Sequence, residues 1–148
     1  MKNALILIGI LCVTVTVFAE DKIIGDYTGD LKIQKGNLRV GDGADVMGNI
    51  YIDEGNLFIA DKVNVTGAIT IKKGNIFIKN DVDITKGITV ENGNVNMGND
   101  NDILANIICK NGIVTMGNNN DIQGDVVAME LKKGDGNDIS GGFHPAKK

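Results

Sequence analysis

Tryptophan is absent from this 148-residue chain, proline and histidine occur once each, and tyrosine and phenylalanine number only two and four. Against that shortage stand 20 glycines and many β-branched aliphatic, Asn and Asp residues. The balance suits short strands joined by tight turns more than packed helices. Positive charge is also thin. Arg39 is the only arginine, the net charge is −4, and no basic patch argues for a nucleic-acid partner. The length leaves room for one domain.

Cysteine is nearly missing too. Cys12 lies in an opening segment that reads as a Sec signal peptide over residues 1–19. Lys2 supplies the positive start and "ALILIGILCVTVTVFA" the apolar run, and Val17 and Ala19 are the small residues a signal peptidase requires. Cleavage after Ala19 would export the chain. The alternative is an uncleaved N-terminal membrane anchor, since the run is of borderline length for spanning. Bulky Leu11 before Cys12 argues against a lipid attachment site. After cleavage only Cys109 remains, so no internal disulfide can form and rigidity must come from elsewhere.

The repeat supplies it. Gly36, Gly55, Gly74, Gly93 and Gly112 follow one another at a constant nineteen residues, and Asn37, Asn56, Asn75 and Asn94 follow the first four. A period near twenty signals a solenoid, and eighteen to twenty is the coil length of a β-helix. In this frame the apolar residues fall into columns. Leu31, Ile50, Ile69, Ile88, Ile107 and Val126 form one, and Ile33, Ile52, Ile71, Val90, Cys109 and Ala128 the next. Leu38 begins a third, Val40 a fourth and Val46 a fifth. Apolar and polar residues alternate within each run, which is strand periodicity with one face in and one out. The spacing predicts an all-β, single-stranded parallel β-helix of about six 19-residue coils. The expected boundaries are 20–142 for the helix and 143–148 for a short C-terminal tail. Six coils at the strand spacing make a rod roughly 30 Å long.

The polar columns fit this register. Gln34-Lys35, Asp53-Glu54, Lys72-Lys73, Glu91-Asn92 and Lys110-Asn111 alternate in sign from coil to coil, so opposite charges should meet across neighbouring strands. Asn101 and Asn120, in the column of Ala44, Val63 and Val82, should form an asparagine ladder. Cys109 should be a buried, unreactive hydrophobe. Asp83, Asp102, Asp121 and Asp138 should form an outward carboxylate column, and Phe58 should stack on Phe77.

With the columns set, the units "GDLKI", "GNIYI", "GAITI" and "KGITV" resemble those of the bactofilins, polymer-forming cytoskeletal proteins of bacteria. The resemblance spans residues 25–142. It implies a right-handed β-helix that assembles end to end into filaments without nucleotide. Bactofilins are typically cytosolic with flexible tails, whereas this chain carries an export-like leader and a brief "GGFHPAKK" end, so the cellular role transfers less well than the fold. A local stretch, "GDGNDISGG" at 134–142, is similar to the calcium-binding nonapeptide of RTX proteins. That loop appears here once per nineteen residues rather than twice per eighteen, and Asn, Asp and Gly are also ordinary turn residues.

Catalysis finds little support. β-Helical acyltransferases use a histidine base, and the single His144 lies beyond the repeat. No Ser/His/Asp set, metal-ligand cluster or phosphate loop stands out, and the threonines are too scattered for ice binding. The expectation is a non-enzymatic structural protein with no cofactor, metal or small-molecule substrate. Its partner would be itself, through the helix ends, with Leu31, Val126, Leu131 and Phe143 as the candidate interface, and the cell envelope or membrane a further partner. The alternatives are an exported binding module whose Tyr51, Phe58 and Phe77 contact a glycan or protein, and a calcium-stabilised surface protein.

Overall fold

Residues that alternate apolar and polar between turns spaced nineteen apart cannot bury their apolar side within one turn; like turns must stack. The computed structural model describes residues 5–9, 15–18 and 22–147. Among these there is no helix, and parallel strands in stacked coils form a β-solenoid of about 7 turns with ~19 residues per turn.

Each coil contributes one strand to each of three faces. The first face stacks Leu31–Lys35, Ile50–Glu54, Ile69–Lys73, Ile88–Asn92, Ile107–Asn111, Asp125–Ala128 and Gly142–Pro145. The second stacks Leu38–Val40, Leu57–Ile59, Ile76–Ile78, Val95–Met97, Ile113–Met116 and Glu130–Lys133. The third runs from Asp45–Met47 to Asp138–Ile139. Strand Lys22–Thr28 serves two faces, with Lys22 opposite Leu38 and Tyr27 opposite Val46. It thereby joins the second and third faces into one sheet, while the first face stands as a separate sheet.

The register puts like on like. Ile69 lies between Ile50 and Ile88, and Ile76 between Leu57 and Val95. A middle coil buries six side chains, Ile50, Ile52, Leu57, Ile59, Val63 and Val65, each at most 1% exposed. Each contributes roughly 1.5–3 kcal/mol as an upper estimate. Cys109 is fully buried in this core, as its column requires, and burial pushes its thiol pKa up.

The corners explain the polar half of the repeat. A Cβ on Gly74 would lie 1.7 Å from the Gly55 carbonyl oxygen, and one on Gly93 1.8 Å from that of Gly74. The turn glycines are therefore a ladder in which each leaves room for the last. Beside them Asn56 donates its backbone N–H to Asn37 Oδ1 at 2.9 Å, and Asn75 does the same to Asn56. A second corner holds left-handed backbone at Gly43, Lys62, Asp81, Asp100, Asn119 and Gly136. Gly, Asp and Asn fill all of these positions but Lys62, because they tolerate that conformation.

The ends depart from the expected count of six coils. The chain already forms a coil at Lys22–Thr28, and strand Gly142–Pro145 carries the stack past residue 142. A strict nineteen-residue frame misses both, because the first and last coils use shorter corners: Lys22 meets Leu38 and Asp121 meets Asp138. Two segments of the expected leader, Leu5–Gly9 and Val15–Phe18, are strands paired in parallel with Lys22–Thr28 and Leu31–Lys35. The expected cleavage junction at Ala19 and Glu20 lies outside the described residues.

Candidate functional site

At the C-terminal tip the core columns run out of the covered interior. Val114, Ile122 and Val126 are 0% exposed one coil below it. Opposite them in the last coil stand Leu131, Ile139 and Phe143. Leu131 and Ile139 are only partly buried against the core, and Phe143 is 37% exposed. Among the described residues no strand pairs with the outer edge of these three strands, which leaves a row of backbone donors and acceptors without a strand partner. Pro145, opposite Ala128, lacks an N–H, and Lys133 stands opposite Met116 at the rim. The tip thus combines an apolar patch with strand edges that are open on two faces and blunted on the third.

Of the four residues expected at an end-to-end contact, Leu131 and Phe143 lie in this tip. Val126 is fully buried beneath Phe143. Leu31 is fully buried between strands Val15–Phe18 and Ile50–Glu54. Ile139 and Pro145 join Leu131 and Phe143 in the tip, and the sequence marks them only through the shift from a nineteen- to a seventeen-residue step after Gly112. All five turn glycines sit at the predicted corner. Gly36, Gly55, Gly74 and Gly93 have φ between 127° and 149°, and Gly112 is not in that region.

The outer columns are as ordered as the inner ones. Lys72 pairs with Asp53 at 2.7 Å, Lys73 with Glu54 at 3.1 Å and Lys110 with Glu91 at 3.6 Å, each across one coil. Hydrogen bonds from Lys72 and Lys73 hold the Asp53 and Glu54 carboxyls below their ordinary pKa. Being exposed, these pairs fix register more than they add stability. Phe58 and Phe77 stack at 5.0 Å with an 8° tilt, and the Arg39 guanidinium covers Phe58 at 4.2 Å. Tyr51, 41% exposed, lies on a different face.

The carboxylate column is present, with Asp83 opposite Asp102, Asp102 opposite Asp121 and Asp121 opposite Asp138. Partial burial, then the charges of Asp83 and Asp121, raise the Asp102 pKa. The asparagine ladder is present and longer than expected. Asn101 Nδ2 donates to Asn120 Oδ1 at 2.9 Å, and Asn120 Nδ2 to Asn137 Oδ1 at 2.8 Å.

One buried charge stands apart. Lys22 is 2% exposed in the aliphatic column below Leu38, with its ammonium 5.7 Å from the Tyr27 ring centre and no hydrogen-bond partner among the described residues. Burial lowers its pKa, because the charged form is the one desolvation penalises.

Compared with known proteins, the chain matches no protein-family profile, no curated protein and no solved structure.

Proposed function

We propose that this protein is a non-enzymatic structural element, an exported β-helical rod that assembles with copies of itself through its ends, in the manner its resemblance to the bactofilins implies. One observation carries the reading. The core columns buried at Val114, Ile122 and Val126 end in solvent at Leu131, Ile139 and Phe143, with strand edges open beside them. A second copy stacked on that tip would bury the apolar patch and pair the edges, and a tip contact that repeats without closing makes a filament. Pro145 weakens strand pairing on the first face, so the contact would rest on apolar burial and on the other two faces. The leader-like residues 1–19 are the ground for export, with an N-terminal anchor as the alternative; either would take strands Leu5–Gly9 and Val15–Phe18 out of the stack and uncover the Leu31–Lys35 edge as a second end.

Substituting Leu131→Lys places a charge in the proposed contact while leaving the inner coils intact. Sedimentation and electron microscopy of the wild type should show rods longer than one molecule. The variant should stay monomeric with an unchanged β circular-dichroism signal. A wild type that is monomeric at high concentration would sink the proposal.

A second reading, a module that binds a glycan or protein partner, draws on the exposed Phe77 and Tyr51. These stand on different faces, and Phe77 turns one ring face to Phe58, so they offer less than a shared platform.

A further inference from the structure

We infer that Asn111 is a site of self-modification, converting to aspartate and isoaspartate through attack by the backbone nitrogen of Gly112. The observation behind this is a break in the glycine ladder. The backbone N–H groups of Gly36, Gly55, Gly74 and Gly93 donate to the carbonyls of Glu54, Lys73, Asn92 and Asn111 at 2.9, 2.9, 3.0 and 3.3 Å. Each is held by the coil that follows. Among the described residues the Gly112 N–H meets no such acceptor.

The cause is the length of the last coil. Ile108 pairs with Val127, nineteen residues on, but Ile113 pairs with Glu130, seventeen residues on. The two omitted residues are those that would have covered Lys110 and Asn111. Met129 now follows Gly112, donating its N–H to the Gly112 carbonyl at 3.0 Å and leaving the Gly112 nitrogen open. The backbone responds, since Gly112 lacks the left-handed φ shared by the four glycines below it.

The chain has two Asn-Gly steps, Asn92-Gly93 and Asn111-Gly112, one directly above the other. Both asparagines are exposed. They differ in how they are held. The Asn92 amide is fixed at both ends: Nδ2 donates to the Lys72 carbonyl at 3.3 Å, and Oδ1 accepts from Asn111 Nδ2 at 3.1 Å. The nitrogen that would attack it, Gly93 N, is engaged. Asn111 is fixed only through Nδ2, and its neighbouring nitrogen is open.

In the reaction the Gly112 nitrogen bonds to the Asn111 Cγ. The Cγ–Nδ2 bond breaks, and Nδ2 leaves as ammonia with the hydrogen that the Gly112 nitrogen gives up. The five-membered imide then takes up one water. Opening at one carbonyl gives aspartate; opening at the other gives isoaspartate, with an extra methylene in the main chain. Glycine is the residue that permits the closure, because no side chain obstructs the attacking nitrogen. The product adds a negative charge beside Asn92 and, where isoaspartate forms, a longer backbone at the corner that leads into the exposed last coil.

The test is incubation of the full chain at mildly alkaline pH, native and in denaturant, followed by peptide mass mapping. In the folded protein Asn111 should gain a single mass unit roughly five- to tenfold faster than Asn92, the ratio that one net amide hydrogen bond supplies. In denaturant the two rates should converge. Asn111→Gln, which cannot close the same ring as readily, should abolish the conversion at this position without altering the circular-dichroism spectrum. Equal rates at Asn92 and Asn111 in the folded protein would overturn the inference, as would an Asn111 that does not convert at all.

Discussion

The two residue types that do most to hold the corners fail in different ways when replaced. Gly74 has φ 141° and sits with the Gly55 carbonyl where its Cβ would be. Gly74→Ala therefore combines backbone strain with a clash against an atom that cannot rotate away. The expected loss is on the order of 3 kcal/mol, read as a lower denaturation midpoint in urea. Thr70→Ala in the same coil, on the outer side, should change the midpoint little. Asn101 is lost differently. Its Oδ1 accepts the Val82 N–H at 2.9 Å and its Nδ2 donates to the Lys79 carbonyl at 3.0 Å as well as to Asn120. Asn101→Ala takes these side-chain partners from the Val82 N–H and the Lys79 carbonyl, while Asn120 Oδ1 keeps the backbone N–H of residue 101, at a loss of about 1–3 kcal/mol by the same measurement.

At the level of single strands, the third face carries the clearest pH signature. Asp102 has a raised pKa, so its folded form holds its proton more tightly than the unfolded chain does. Such a group favours folding below its unfolded pKa and loses that contribution as pH rises through its folded value. Asp53, Glu54 and Asp61 are lowered and act in the opposite sense, losing stability as pH falls through the carboxylate range. Asp102→Asn should therefore stabilise the protein at neutral pH, because it removes a partly buried charge and relieves the like charges in register, the latter by roughly 0.2–1 kcal/mol. The gain should fade as pH falls through the carboxylate range, and a thermal melt series across pH for both proteins would show it. A gain independent of pH would mean that amide hydrogen bonding, rather than charge, was responsible. These strands were legible in the sequence because their inward residues sit at a fixed interval: Ile84, Ile103 and Ile122 are each fully buried as the columns require. The Asn101 and Asn120 ladder was legible for the same reason. Asn137, its third member, was not, because the chain reaches it after seventeen residues instead of nineteen. Ile139 and Pro145 were hidden by the same slip. The burial of Lys22 was hidden for another reason: a lysine carries no apolar signal to place it in the column of Leu38.

For the rod as a whole, the feature that matters most is that the strand pairs and ladders described above join residues one coil apart. Among the described residues no strand waits for a distant partner, so each coil once formed can template the next. Folding of this kind nucleates where neighbouring coils are most alike and spreads toward both ends like a zipper; unfolding runs the same path backward from the least covered end. Coils between Ile50 and Met97 are uniform in length and packing, while the coil after Ala128 is short and open on one side. Amide hydrogen exchange should accordingly grade along the axis. Protection should be greatest around Ile69–Lys73 and fall toward Glu130–Lys133 and Gly142–Pro145 in proportion to the number of coils that must open first. A flat profile would mean that the rod melts as one block. If the gradient holds, a second molecule docking on the tip would act on time as well as on shape: by closing the end from which the zipper opens, it would slow the unravelling of every coil behind it.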